Sequence, residues 1–139
     1  MKGCTFKYLT VLGEPLPVIT ITASRDGHEI DLVVFIDSGA SYSIFASEYA
    51  ARLGIEDITT GTLNYVMNGS GDVLAVYVHV LTLKIGTYPI SAQVGLSEQL
   101  GVGYNILGRK DVFEKLIWCF SDERQAIHVM LEEEAEAWP

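Results

Sequence analysis

Apolar and polar residues alternate along much of the chain with a period of two, a pattern typical of β-strands that bury one face. Residues 18–22 alternate apolar and hydroxyl side chains, and residues 25–28 supply a turn with the hairpin signal Asp-Gly. The return strand, residues 29–36, begins with alternation and ends in an unbroken apolar run. The pattern predicts a hairpin whose second strand enters the core just before Asp37.

Strand-like patterning continues after Asp37. The segments that carry it lie at residues 60–67, 73–85, 88–94, 104–109, 117–120 and 126–131. Two short helices are also predicted, one over residues 46–53 with Gly54 as its C-terminal cap, and one over residues 110–116. Many strands with two short helices predict a single all-β domain with a barrel-like fold.

Composition and charge exclude several classes of protein. The formal net charge of −9 argues against nucleic acid and anionic membranes as partners, because both require a basic surface. Cys4 and Cys119 form no disulfide framework, and no Cys/His cluster indicates a metal or other cofactor. The apolar neighbours of Cys119 predict a buried thiol. No segment resembles a signal peptide or a membrane span, so we expect a cytoplasmic protein.

The clearest candidate chemistry lies in the triplet Asp37, Ser38 and Gly39, directly after the apolar end of a predicted strand. This order places a carboxylate at the mouth of the core. Gly39 permits a tight turn and the close approach of another backbone, and the Ser38 hydroxyl can brace that turn through hydrogen bonds. By itself, however, the triplet also fits an ordinary Asx-type turn at the end of a strand.

Two further motifs follow the triplet in a fixed order. The three motifs are Phe35-Ile36-Asp37-Ser38-Gly39-Ala40, the glycine-containing tip Asn68-Gly69-Ser70-Gly71, and Ile106-Leu107-Gly108-Arg109. Together they resemble the retropepsin-like aspartic proteases, the single-domain relatives of pepsin that include retroviral proteases. The resemblance implies a closed acid-protease barrel over residues 17–131, preceded by an N-terminal strand or arm over 1–16 and followed by an acidic tail over 132–139.

The same resemblance implies an aspartic endopeptidase that acts as a homodimer on peptide or protein substrates. Asp37 is then the catalytic residue, and the copies from two subunits share one proton and activate a water. Ser38 and Gly39 support the active site, while Gly108 and Arg109 have a structural role. The residues implied to contact substrate are Ala40, Ser41, Asn68, Gly69, Ser70 and Gly71.

Two positions depart from the family pattern. Lys110 stands where many members carry Asp, and Ser41 stands where viral members carry the Asp that pairs with the motif arginine. Arg109 therefore needs another partner.

Other functions remain open from the sequence. The alternative from a different class is a non-catalytic peptide-binding or dimerisation module with the same fold. A serine hydrolase is less favoured because Gly-x-Ser-x-Gly is absent. The tip at residues 69–71 is no phosphate loop because no Gly-Lys-Ser/Thr follows it.

Overall fold

The computed structural model describes residues 2–67, 71–100 and 104–135, and strands predominate in it. In chain order the strands are β1 (Cys4–Lys7), β2 (Leu9–Val11), β3 (Glu14–Leu16), β4 (Val18–Arg25), β5 (His28–Ile36), β6 (Ser43–Ala46), β7 (Thr62–Met67), β8 (Val73–Ile85), β9 (Tyr88–Ser97), β10 (Asn105–Leu107), β11 (Leu116–Ser121) and β12 (Ala126–Leu131). Short helical turns lie at Ser47–Tyr49, Ala51–Leu53, Ile58–Thr60, Arg109–Phe113 and Glu132–Glu134. The predicted all-β class is confirmed. Within the described ranges, no helix has the length and apolar character needed to cross a membrane.

The largest sheet closes into a barrel. Its strands run in the order β4-β5-β10-β6-β9-β8-β7, and β4 pairs in addition with β8. Closure removes the open edges at which a sheet would otherwise recruit other strands. Among the described residues, strand β7 pairs only with β8, at its Val73–Val78 end, so the β7–β8 hairpin projects beyond the ring.

The first hairpin of the barrel follows the predicted alternation. Its turn residues Asp26 and Gly27 have φ values of 48° and 83°, as a type I′ hairpin turn requires. The inward side chains of β4 and β5 are at most 9% exposed, and include Ile19, Ile21, Ala23, Ile30, Leu32, Val34 and Ile36. Burying one such aliphatic side chain stabilises the fold by roughly 1.5–3 kcal/mol, so this face fixes the register of the pair.

The first predicted helix is present as two successive 3-10 turns, Ser47–Tyr49 and Ala51–Leu53. Gly54 ends it in the left-handed conformation, with a φ of 75°, in the capping role predicted for it. So short a segment does not recover the cost of nucleating an α-helix. The three-residue period instead places Ala50 and Leu53 on one face, where both are buried.

The prediction of a second helix over residues 110–116 is wrong. Only the kinked turn Arg109–Phe113 forms, because Lys110 is extended (φ −56°, ψ 122°) and Asp111 has a φ of 64°. The Asp111 carboxylate accepts a hydrogen bond of 2.8 Å from the backbone N–H of Gln93 in β9. A contact to a strand distant in sequence thus overrides the local helical pattern.

Most of the other strands lie where the pattern placed them. The prediction for residues 73–85 coincides with β8, and that for residues 126–131 with β12. The strand predicted from residue 60 begins later, at Thr62, because Ile58–Thr60 forms a 3-10 turn. Asp57 caps this turn by accepting a hydrogen bond of 2.9 Å from the Thr59 N–H.

The two ends of the chain meet in a second sheet of order β1-β12-β11. In it Cys119 lies opposite His128 and is exposed, so the prediction of a buried thiol is wrong. Adjacent residues of a strand face opposite sides, and Trp118 takes the side that packs on the core. Strands β2 and β3 form a separate hairpin, with Leu12 almost fully exposed at its turn.

Glu134, within the acidic tail, is held by two hydrogen bonds. Its Oε1 accepts from the Tyr88 hydroxyl at 2.6 Å and from the Leu131 N–H at 2.8 Å. The bond from Tyr88 lowers the pKa of Glu134, and the same bond to a carboxylate raises the pKa of Tyr88 to about 12. Residues 136–139, including Glu136, lie outside the described ranges.

Candidate active site

Asp37 stands directly at the end of β5, in a loop that is held by its own backbone. Its N–H donates to the carbonyl of Leu107 at 2.9 Å, and its carbonyl accepts from the Ala40 N–H at 3.2 Å. The Gly39 N–H donates to Asp37 Oδ1 at 2.8 Å. The carboxylate is therefore oriented within a tight turn while its side chain remains partly open to solvent.

Strand β10 connects this loop to the Ile106–Arg109 motif. It runs parallel to β5 and antiparallel to β6, the two strands that flank the Asp37 loop. Asn105, only 4% exposed, donates from Nδ2 to the Val33 carbonyl and accepts the Ala46 N–H on Oδ1. This role was not predicted from the sequence, although a lone amide within an apolar strand is a signal for such a cross-strand hydrogen bond.

Gly108 is the point of closest contact between the two motifs. A Cβ at this position would overlap the Tyr42 carbonyl and lie 2.8 Å from the Ala40 oxygen. The Gly108 N–H donates to Oγ of Ser43, a fully buried hydroxyl whose role was not predicted from the sequence. Glycine is needed here for the close approach of two backbones, an approach that the sequence had suggested for Gly39 and not for Gly108.

The next two residues continue the contact. The N–H groups of Arg109 and Lys110 donate to the carbonyls of Ala40 and Ser41, each at 2.9 Å. The predicted structural residues and the predicted Asp37 loop are thus brought together. Ser38 and Gly39 are exposed at the outer side of that loop.

The projecting β7–β8 hairpin covers an apolar cluster next to the loop. Buried Ile44 of β6 meets the inward side chains of the hairpin, Val66, Leu74 and Val76. Of the predicted tip, Asn68, Gly69 and Ser70 lie outside the described residues, while Gly71 has a φ of 88°.

Side chains from the end of β9 also hold the hairpin. The Ala75 N–H donates to Gln99 Oε1 at 2.8 Å, and the Ala75 carbonyl accepts from the buried Ser97 hydroxyl at 3.0 Å. The Ser97 hydroxyl in turn accepts the Gln99 N–H at 3.0 Å. The backbone pairing of β8 with β9 ends at Tyr77 and Leu96, and beyond that pair these side-chain hydrogen bonds connect the two segments. They were not foreseen from the sequence.

A pocket of about 490 Å³ opens beside the loop, lined by Ser41, Tyr42, Arg109, Lys110, Phe113 and Glu114. Ser41 was predicted to contact substrate and Arg109 to have a structural role, and both line this one cavity. In the described ranges, the Arg109 guanidinium has no carboxylate within 4.0 Å.

Two of the three histidines make side-chain hydrogen bonds in the described part of the chain. His79 Nε2 lies 2.8 Å from the Ile58 carbonyl, and His128 bonds Thr5 Oγ1 and the Lys2 carbonyl, each at 2.7 Å. Neither ring contacts a serine hydroxyl, which gives the serine hydrolase hypothesis no support. No group of three or more His, Cys, Asp or Glu side chains in these ranges has a metal-binding arrangement.

The closed barrel carries Asp37 in the loop between β5 and β6, with β10 inserted beside this loop and the β7–β8 hairpin projecting from the ring. No protein-family model matches the sequence, and a search of curated proteins found no significant match. Among solved structures, the chain is similar to EIAV protease complexed with the inhibitor HBY-793, with a TM-score of 0.51 and 19% identity over 73% of this chain and 88% of that one. It is also similar to a retropepsin-like aspartic protease from Rickettsia conorii, with a TM-score of 0.57 and 16% identity over 92% of this chain and 91% of that one. The chain therefore has the retropepsin-like aspartic protease fold, as its motifs indicated.

Proposed function

We propose that this protein is an aspartic endopeptidase whose active site is completed by a second copy of the chain. The observation that carries the proposal is the placement of Asp37. Asp37 directly follows the core strand β5, and the Gly39 N–H orients its carboxylate. Backbone hydrogen bonds join its loop to residues 107–110. The retropepsin-like fold supports the same chemistry.

In the proposed reaction, two Asp37 carboxylates face each other and share one proton, because like charges at such short range do not both ionise. The ionised carboxylate removes a proton from a water, whose oxygen adds to the peptide carbonyl carbon. The protonated carboxyl gives its proton to the carbonyl oxygen. The C–N bond then breaks as the dyad gives a proton to the leaving amine and takes one from a hydroxyl of the tetrahedral intermediate, which restores the shared proton without a covalent enzyme intermediate.

The requirement for a second copy follows from the number of catalytic groups. The sequence contains one Asp-Ser-Gly, at residues 37–39, so one chain supplies one carboxylate. A two-fold symmetric dimer is the usual way to bring two identical loops together. Ser38 is exposed at the loop and is proposed to brace the opposing copy. Strand β11 is compatible with self-association, since among the described residues it pairs only with β12 and carries no charge along Leu116–Ser121.

The proposed substrate is a peptide bound between the Asp37 loop and the β7–β8 hairpin. Ala40, Ser41 and residues 68–71 are its proposed contacts. The apolar cluster around Ile44, Val66 and Leu74 favours apolar side chains near the cleaved bond. A cytoplasmic location remains part of the proposal, resting only on the sequence patterns described above.

The decisive experiment compares the parent with Asp37→Asn, which preserves shape and removes acid–base function. Cleavage of a peptide library should disappear in the variant and be blocked in the parent by a pepstatin-like inhibitor, while circular dichroism stays unchanged. A folded variant that cleaves as fast as the parent would reject the assignment of Asp37. A parent that binds peptides without cleaving any of them would favour the non-catalytic binding module.

A further inference from the structure

We propose that the pocket beside the Asp37 loop binds a carboxylate of the peptide substrate, so that peptides with an acidic side chain near the cleaved bond are preferred. That this carboxylate belongs to a peptide substrate rests on the proposed function, an aspartic endopeptidase. The pocket and its charge do not depend on it, because they follow from residues of the Arg109–Phe113 turn and the loop that faces it.

The pocket is continuous with the proposed active site. Backbone hydrogen bonds of 2.9 Å from Arg109 to Ala40 and from Lys110 to Ser41 fix its walls to the segment that follows Asp37. Tyr42 lines the pocket and also packs against the apolar cluster beneath the hairpin. A peptide lying over that cluster would therefore reach the pocket through Tyr42.

Two cations line this pocket, and neither has a carboxylate within 4.0 Å among the described residues. Arg109 is exposed and Lys110 is half-buried. Within residues 2–67, 71–100 and 104–135, ion pairs of 4.0 Å or less join only Arg25 to Asp26 and Lys115 to Asp111. Among these described residues, Glu114 is the carboxylate that lines the pocket beside the two basic groups, and it forms no ion pair of 4.0 Å or less with either of them.

The acidic residues closest in sequence are already engaged. Asp111 Oδ2 accepts the Gln93 N–H at 2.8 Å, and its Oδ1 lies 3.9 Å from Lys115 Nζ. Glu114 also lines the pocket, but its Oε1 accepts the Asp111 N–H at 2.7 Å. The formal charge of the lining residues is then +1, from two cations and Glu114.

The backbone kink at Lys110 and Asp111 explains why Arg109 and Lys110 form no ion pair with Asp111. Asp111 adopts a left-handed φ of 64° after an extended Lys110, so the two successive side chains diverge. Asp111 turns to β9, while Lys110 remains among the pocket residues. Ser41, which also lines the pocket, is neutral and adds no negative charge beside Arg109.

A carboxylate is the ligand that suits this arrangement. A guanidinium presents parallel N–H donors that match the two carboxylate oxygens, and a neighbouring ammonium adds charge. The Ser41 hydroxyl supplies a further donor. Because the site is open to solvent, one such contact is expected to change affinity by no more than about 5-fold.

The test uses peptide pairs that differ only by Glu or Gln at one position, scanned on both sides of the cleaved bond. We expect one position at which the parent cleaves the Glu peptide roughly 2- to 5-fold more efficiently, by kcat/KM. In Lys110→Gln this ratio should fall to about one, and in the parent it should shrink as salt is raised. The matched control is Lys84→Gln, which removes an exposed lysine of β8 and should keep the ratio.

Binding to the Asp37→Asn variant separates this inference from the proposed function. Labelled Glu and Gln peptides are compared by fluorescence anisotropy, with no cleavage to interfere. A Glu preference in binding, without cleavage by the parent, would support the pocket and reject the protease. Equal binding and cleavage of both peptides at every position would overturn the pocket alone. The inference is also wrong if Lys110→Gln weakens self-association in sedimentation but keeps the Glu preference, because a carboxylate of the second copy would then be the ligand.

Discussion

Replacing Gly108 by alanine should damage both the stability of the fold and the Asp37 loop. The added Cβ would overlap the Tyr42 carbonyl and lie 2.8 Å from the Ala40 oxygen. Both neighbours are backbone atoms, so no side-chain rotation relieves the clash. The φ of Gly108 is −110°, which any residue adopts, so the whole penalty comes from the overlap and not from strained dihedrals.

The expected loss of stability is about 1–3 kcal/mol, the usual range for inserting a methyl group into a tightly packed region. For a chain of 139 residues, each 1 kcal/mol lowers Tm by roughly 3–5 °C. The loop must also move, because the Arg109 N–H bonds the same Ala40 oxygen that the methyl group approaches. A shift of about 1 Å in a catalytic group lowers kcat by up to roughly 100-fold.

Thermal unfolding and single-turnover cleavage, both at one fixed protein concentration, measure the two effects. The matched control is Gly27→Ala, at the opposite end of β5, where a Cβ meets nothing within 4 Å but φ is 83°. Its left-handed conformation costs about 1–2 kcal/mol, so stability falls by a similar amount while kcat of the folded protein is retained. A Gly108→Ala protein with the stability and kcat of the parent would refute the close-approach explanation.

Four further outcomes are expected. Specific activity should fall on dilution below the dimer dissociation constant, in step with sedimentation, and a fully active monomer would contradict the shared site. The pH–rate profile should be a bell on the acid side of neutral whose limbs belong to the pair of aspartates, whereas a rate rising steadily to alkaline pH would exclude this mechanism. Gln99→Ala should speed hydrogen exchange of the Ala75 amide roughly 2- to 10-fold, since the net value of the lost bond is about 0.5–1.5 kcal/mol, while Glu98→Ala should not. Tyr88→Phe should lower Tm at neutral pH. Folding lowers the pKa of Glu134 below 4.5 and raises the pKa of Tyr88 from 10.0 to about 12. The Tm difference between parent and variant should therefore narrow as the pH falls through the lowered pKa of Glu134, and again as the pH rises from 10.0 through about 12. A Tm difference that does not change with pH would show that the Tyr88–Glu134 hydrogen bond is not responsible.

Local patterns were sufficient to predict the main body of the fold. The alternation in residues 18–36, with Asp-Gly between its halves, specified the β4–β5 hairpin, because a two-residue period and a type I′ turn are properties of neighbouring residues. The unbroken apolar run before Asp37 likewise placed that carboxylate at the end of a core strand. Gly54 was identified as a helix cap for the same reason, since capping depends only on the adjacent turn.

Other features depended on partners that no local pattern identifies. Asp111 breaks the predicted second helix because a backbone N–H of β9 lies beside it. Asn105 ties β5 to β6 only because β10 is inserted between them. Ser97 and Gln99 hold Ala75 because the β8–β9 ladder ends just before them.

Burial on the second sheet was decided in the same way. The apolar residues around Cys119 do not indicate which face of β11 packs on the barrel. In the structure, where β11 pairs with β12, Cys119 faces outward and Trp118 faces the core. By itself the sequence determined strand periods, turn types and the order of the motifs, all of which act over a few residues. The tertiary structure decided which backbone groups meet across the barrel, and thereby which cations beside the Asp37 loop form no ion pair with the described carboxylates.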